Sequence, residues 1–268
     1  MKHIRPYGIF EASAALTPEQ IEWLNKCTRG TWKLNPQTGL VDVKGDFDCS
    51  GQGLSDFKGV RFGVVKGSFW CYNNRLTSLV GAPEKVGGGF DCRINQLTSL
   101  EGAPREVGWD FWCYRNQLTS LEGAPREVGG CFDCQSNLLT SLEGAPREVG
   151  VDFSCYDNRL TSLVGAPEKV GRNFWCHNNR LTSLVGAPRE VGGDFFCDDN
   201  PVSEETLERI LYSMNKGESY LKVVESLWPK IPLEDQVLLY RPEFKWVGAE
   251  EAKKLQAVGR FNKIKGML

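Results

Sequence analysis

Cys92-Arg93-Ile94-Asn95-Gln96-Leu97-Thr98-Ser99-Leu100-Glu101-Gly102-Ala103-Pro104-Arg105-Glu106-Val107-Gly108 is one copy of a unit that the chain repeats every 21 residues. Its cysteine recurs at Cys71, Cys113, Cys134, Cys155, Cys176 and Cys197, and Cys49 stands 22 residues before the first of these. A fixed period of about 20 to 30 residues is the mark of a solenoid, in which each unit buries its apolar side only by stacking on its neighbours.

The spacing inside the unit sets its local structure. A phenylalanine precedes every repeat cysteine by two positions, from Phe47 and Phe69 through Phe90, Phe111, Phe132, Phe153 and Phe174 to Phe195. Phe-x-Cys therefore reads as a short strand with both side chains on one inward face. Three residues after the cysteine comes Asn, as at Asn95 and Asn116, whose amide can satisfy backbone groups where the chain leaves the strand; stacked copies predict an Asn ladder. Two leucines follow, Leu97 and Leu100 in this copy, and then Gly-Ala-Pro, which forbids helix on the return path. The return is expected to be extended or turn-like.

This pattern, Phe-x-Cys-x-x-Asn-x-Leu-x-x-Leu, resembles the leucine-rich repeat with Phe and Cys at two of the usual leucine positions. The short period and the proline in the return segment are similar to the bacterial subclass whose convex side is extended. The Leu-Thr-Ser-Leu-x-Gly-Ala-Pro-x-x-Val-Gly block resembles repeat proteins of phage and environmental bacterial sequences, mostly uncharacterised. The resemblance covers roughly 160 residues and implies a right-handed, slightly curved β-rich repeat solenoid with a parallel β-sheet on its concave face. Some bacterial effectors with similar repeats carry a ubiquitin-ligase domain with a cysteine nucleophile; no cysteine follows Cys197, so that activity does not carry over.

The flanks read differently. Thr17-Pro18-Glu19-Gln20 has an N-cap, a proline at the first helical position and a capping-box glutamine, with Ile21, Trp23, Leu24 and Cys27 as the apolar side of a short helix ended by Gly30. Trp32–Leu34 and Leu40–Val43 flank an Asn35–Gly39 turn and predict a hairpin. Residues 1–42 are thus expected to form an α+β N-terminal cap, 43–202 a solenoid of about eight repeats and 203–268 an α-helical C-terminal cap with a basic tail.

Composition bounds the function. Charged residues make up 25% and the formal charge is −2, an ordinary balance with no global basic field for nucleic acid. The N-terminus lacks an apolar stretch of signal-peptide length and no stretch approaches a membrane span, so a cytoplasmic site is expected. Ten cysteines are present, eight at one inward register, which is read as a buried column of small apolar side chains rather than a metal or disulfide set. Cys131, just before Phe132, falls on the outward face and is expected to be an exposed thiol.

Candidate functional residues lie where the copies differ. The position before the cysteine reads Asp48, Trp70, Asp91, Trp112, Asp133, Ser154, Trp175, Phe196, and the position after it reads Ser50, Tyr72, Arg93, Tyr114, Gln135, Tyr156, His177, Asp198. Asp110, Asp152 and Asp194 add carboxylates three before the cysteine. Trp and Tyr concentrate at binding hot spots, whereas an idle solvated strand face carries mostly Lys, Glu, Thr and Ser. The competing reading is that aromatics favour strands and pack sideways on one another across rungs. The reading adopted is partner binding, with Trp70, Tyr72, Trp112, Tyr114, Tyr156, Trp175, His177 and Phe196 as anchors and Asp91, Arg93 and Asp133 as selectors, aromatic walls around a charged floor. On the return side the variation is confined to Arg-Glu and Glu-Lys pairs, as expected of charge balancing for solubility.

The expected function is protein binding without catalysis, cofactor or metal; carbohydrate binding on the same aromatic and Asp surface, or self-association in a structural role, are the alternatives. Only His3 and His177 are available, and no phosphate loop, metal motif or Ser-His-Asp set is present.

Overall fold

A computed structural model describes residues 15–182, 186–197 and 199–201. The expected C-terminal helices lie outside the described residues. The described chain is a parallel β-solenoid of about seven turns. Each turn contributes one strand to each of two sheets. The Phe sheet takes the Phe-containing strands from Asp46–Asp48 and Phe69–Trp70 to Phe195–Phe196, and the Val sheet runs from Val41–Val43 and Phe62–Val65 to Glu190–Val191. Registers are constant: Phe111 lies beside Phe90 and Phe132, and Val149 beside Val128 and Val170. The return path is extended, as expected, and its Glu-Val and Lys-Val pairs hydrogen-bond into a sheet of their own.

The interior is a set of columns with one residue type each. The rings of Phe47 through Phe195 stack at centroid separations between 5.1 and 5.7 Å. Cys49 through Cys176 and the leucine pairs from Leu76/Leu79 to Leu160/Leu163 are fully buried around them. Burial holds the repeat thiols above their ordinary pKa, so they behave as small apolar groups.

The Asn ladder forms. Asn116 Nδ2 donates to the carbonyls of Cys113 at 3.0 Å and of Cys92, one rung earlier, at 3.1 Å, while its Oδ1 accepts from the Leu97 amide at 3.0 Å. Each asparagine thereby ties its own rung to the previous one and satisfies backbone groups that the bend removes from the ladder. The residue before each Asn, such as Ile94 or Arg115, is held at positive φ. In the Gly-Ala-Pro turn, Gly123 has φ +94°, and a Cβ there would stand 2.6 Å from the Leu100 carbonyl oxygen; only glycine lets the rungs close at this corner.

The N-terminal helix, Pro18–Cys27, forms with the expected capping box: Thr17 accepts from the Gln20 amide and Gln20 accepts from the Thr17 amide. It ends at Cys27, before Gly30, because Thr28 already turns into an extended strand, Thr28–Arg29. Trp23, Leu24 and Cys27 are buried, but Ile21 is exposed, a correction to the expected apolar side. Trp23 packs edge-on against Phe47 at 5.3 Å. Thr28–Arg29 pairs antiparallel with the first Phe-sheet strand and Trp32–Leu34 with Val41–Val43, so both sheets begin on an antiparallel partner. Among the described residues no helix is long and apolar enough to cross a membrane.

Candidate functional site

The outward face of the Phe sheet is built by strand alternation: with Phe and Cys inward, the residues before and after each cysteine point outward. The parallel register lines them into two adjacent columns, Trp112 between Asp91 and Asp133, and Ser154 between Asp133 and Trp175. The described candidate side chains are half-buried, with the exception of Asp91.

The first half of this face is assembled around arginines. Arg93 lies over the rings of Tyr72 at 4.7 Å, Tyr114 at 5.4 Å and Trp112 at 5.9 Å, donates to the Tyr114 hydroxyl at 2.7 Å and pairs with Asp91 at 3.2 Å. Cation–π contacts and a charge-assisted hydrogen bond thus act on one guanidinium. Arg29 repeats the arrangement at the start of the sheet, bound to Asp48 at 2.8 Å and lying 5.2 Å from the centroid of the Trp70 ring. Sequence reasoning overlooked Arg29 because it comes from outside the repeats; the signal was Asp48, which shares the register of Asp91 but has Ser50 where Arg93 would stand.

Asp91 is only 1% exposed, sealed beneath Arg93, so it is not the surface selector that was expected. It fixes the arginine. Burial pushes its carboxyl up to about 6, against the hydrogen bond from the Arg93 amide and the Arg93 charge. Asp133 is half-buried, its Oδ1 accepting from the Gln135 amide at 3.1 Å and its Oδ2 from Gln135 Nε2 at 2.8 Å. Burial raises its pKa as well.

The second half has a different organisation. Tyr156 stacks on His177 at 4.4 Å, Trp175 stacks on Phe196 at 3.7 Å, and Trp175 meets His177 edge-on at 6.1 Å. Here the aromatics form a continuous cluster, not walls around a charged floor, because Ser154 replaces the next Asp and aromatic residues then occupy consecutive rungs.

Two further expectations are corrected. Asp110 and Asp152 do not reach out as free carboxylates: Asp110 Oδ1 accepts from the Cys131 amide at 2.7 Å and Asp152 Oδ1 from the Asn173 amide at 2.9 Å, each capping the next rung. Asp194 is exposed at the end of that column, its amide held by Asn173. Cys131 sits in the same column, half-buried, and burial raises its pKa, which leaves less thiolate than an exposed thiol would have. Trp109, 66% exposed, was not anticipated; the signal was its place in a column where the neighbouring rungs have Gly88 and Gly130.

The Val-sheet face carries exposed pairs across neighbouring rungs, Lys85 with Glu106, Arg147 with Glu168 at 3.3 Å and Lys169 with Glu190 at 2.9 Å. A groove on this side is lined by Gly108, Gly129 and Gly150 among others. Among the described residues no cluster of three or more His, Cys, Asp or Glu is placed to hold a metal ion. No protein-family model matches the chain, and a search of curated proteins finds no match either.

Proposed function

We propose that the chain is a leucine-rich-repeat scaffold that captures a protein partner through the outward face of the Phe sheet. The observation that carries this reading is the concentration of half-buried Trp, Tyr, Phe and His on that one face, while the Val-sheet face carries exposed ion pairs. Large, rigid aromatics with a polar edge are the side chains that dominate binding energy at interfaces. The Asn ladder and the paired leucines support the repeat assignment, with the N-terminal helix and hairpin as its cap. The reduced, buried cysteine column suits a cytoplasmic setting. A phage or bacterial factor acting on a host or defence protein fits the repeat resemblance.

Carbohydrate binding is disfavoured on the second half of the face. A sugar stacks on an open ring face, and Trp175 and Phe196 each lose one face to the other at 3.7 Å. The test is affinity capture from a lysate of the source cell or its host, comparing wild type with Trp112→Ala/Tyr114→Ala and verifying the fold of both by circular dichroism. Loss of two hot-spot residues is expected to weaken capture by about 30-fold or more. Undiminished capture by a folded double variant sinks the proposal.

A further inference from the structure

The three aspartates in the column before the cysteine do not have equivalent partners. Asp48 is paired with Arg29 and Asp91 with Arg93, and each arginine lies over a tryptophan of the next rung, Trp70 or Trp112. Asp133 is the third, and among the described residues it makes no ion pair. At the register position of Arg93 it has Gln135, which is shorter and uncharged.

The rest of the box is retained. Arg93 sits between Tyr72 and Tyr114, two rungs apart; Gln135 sits between Tyr114 and Tyr156, also two rungs apart, a gap of about 10 Å at the usual strand spacing. Arg93 donates to the hydroxyl of the tyrosine on the next rung, Tyr114, at 2.7 Å, and Tyr156 holds the corresponding position on the rung after Gln135. Trp112 flanks Asp133 on one side as Trp70 flanks Asp91. On the other side stands the small Ser154, which leaves the box open where Trp112 closes the Arg93 box. Asp91 is sealed by its guanidinium, whereas Asp133 keeps part of its surface in solvent.

We infer that the Asp133 box is an arginine socket without its own arginine, and that the partner supplies the guanidinium, seated between Tyr114 and Tyr156 and paired with Asp133. The inference rests on the reading of the Phe-sheet face as the partner surface and specifies what that surface recognises: an arginine side chain presented by a protein. Arg93, two rungs away, is the internal template for the bound state. A planar, weakly hydrated guanidinium suits a site with a carboxylate below and rings to either side, and an ammonium suits it less well. Burial raises the Asp133 carboxyl against the hydrogen bonds from Gln135 and the Arg93 charge, and an arriving guanidinium would displace Gln135 Nε2 from Asp133 Oδ2.

The test uses the purified full chain titrated with N-acetyl-L-arginine methylamide, with the lysine analogue as comparator, followed by NMR of the tyrosine and tryptophan ring resonances. Wild type is expected to show one saturable site with a preference for arginine. Asp133→Asn should weaken it by about tenfold or more, the loss expected when a charge-assisted pair becomes neutral. Gln135→Arg should fill the socket from within, abolishing probe binding while keeping or raising the melting temperature. The inference is overturned if wild type shows no saturable shift, if folded Asp133→Asn and Gln135→Arg both bind like wild type, or if the lysine probe binds equally well. Failure of the probe alongside capture that is still lost in Trp112→Ala/Tyr114→Ala removes the socket and leaves the partner surface standing; capture undiminished in that double variant removes the surface itself.

Discussion

Phe132 and Asp133 are consecutive residues of one strand, yet they live under opposite constraints. Phe132 is fully buried in a stack of identical rings, 5.2 Å from Phe111 and 5.5 Å from Phe153, and its column admits no other residue from Phe47 to Phe195. Asp133 occupies a column that reads Asp, Trp, Asp, Trp, Asp, Ser, Trp, Phe. Inward positions are fixed because every rung must present the same shape to the next in a close-packed interior. Outward positions are free of that demand, so variation there records either selection for contacts or mere tolerance. The contrast gives each column an expected sensitivity to substitution.

The largest effect is expected in the interior. Phe132→Ala would empty one place in the ring column at mid-array, where the rungs on both sides are held in register and cannot close the gap. A loss of about 3 to 5 kcal/mol is expected, read as the midpoint shift in urea unfolding. A loss below about 1 kcal/mol would mean that the rungs collapse around the gap and that the uniform column is not what holds the array together.

Asp91 sharpens the boundary between the two kinds of position, since it stands in an outward column but is buried. Its carboxyl titrates near 6 instead of near the ordinary 3.8, because the charged form is cut off from water. The folded state therefore holds the proton to a higher pH than the unfolded chain. Charging Asp91 in the folded state costs about 3 kcal/mol above that range, and the cost disappears as pH falls through about 6 towards 4. Asn at this position is neutral throughout and keeps an acceptor for the Arg93 amide. The stability of Asp91→Asn relative to wild type should accordingly be near zero around pH 4 and rise to at most about 3 kcal/mol at pH 7. A difference that does not change with pH would show that the Arg93 pair fully offsets the burial.

The interior was legible in the sequence because its columns are periodic: one residue type every 21 positions states which side faces in, and the Asn ladder followed from the position of Asn95 and its counterparts after each strand. The return strands were legible as extended but not as a sheet, since two residues per turn are too few to show alternation and their pairing is created by stacking. At the candidate site the residue set was legible and its internal arrangement was not. Whether Asp91 faces water depends on Arg93 folding over it. Whether Asp110 is a free carboxylate depends on the Cys131 amide one rung away. Both are contacts across a separation of about one repeat or between side chains on a single rung, and a one-dimensional pattern supplies the address without the rotamer. Arg29 was hidden for a further reason, since it reaches the face from a strand outside the periodic region.

The smallest effect is expected on the Val-sheet face, and it tests whether outward variation there is tolerance alone. Lys169 and Glu190 pair at 2.9 Å across adjacent rungs with about half of each side chain in solvent. Water screens such a pair, and holding two long side chains in one geometry costs entropy, so Lys169→Ala should leave the urea midpoint essentially unchanged, in high salt as in low. The substitution should also leave partner capture untouched if the Phe-sheet face alone makes the contact. A drop in capture with stability unchanged would place recognition on the Val sheet as well, and the contrast between a selected face and a merely tolerant one would no longer divide the molecule along its two sheets.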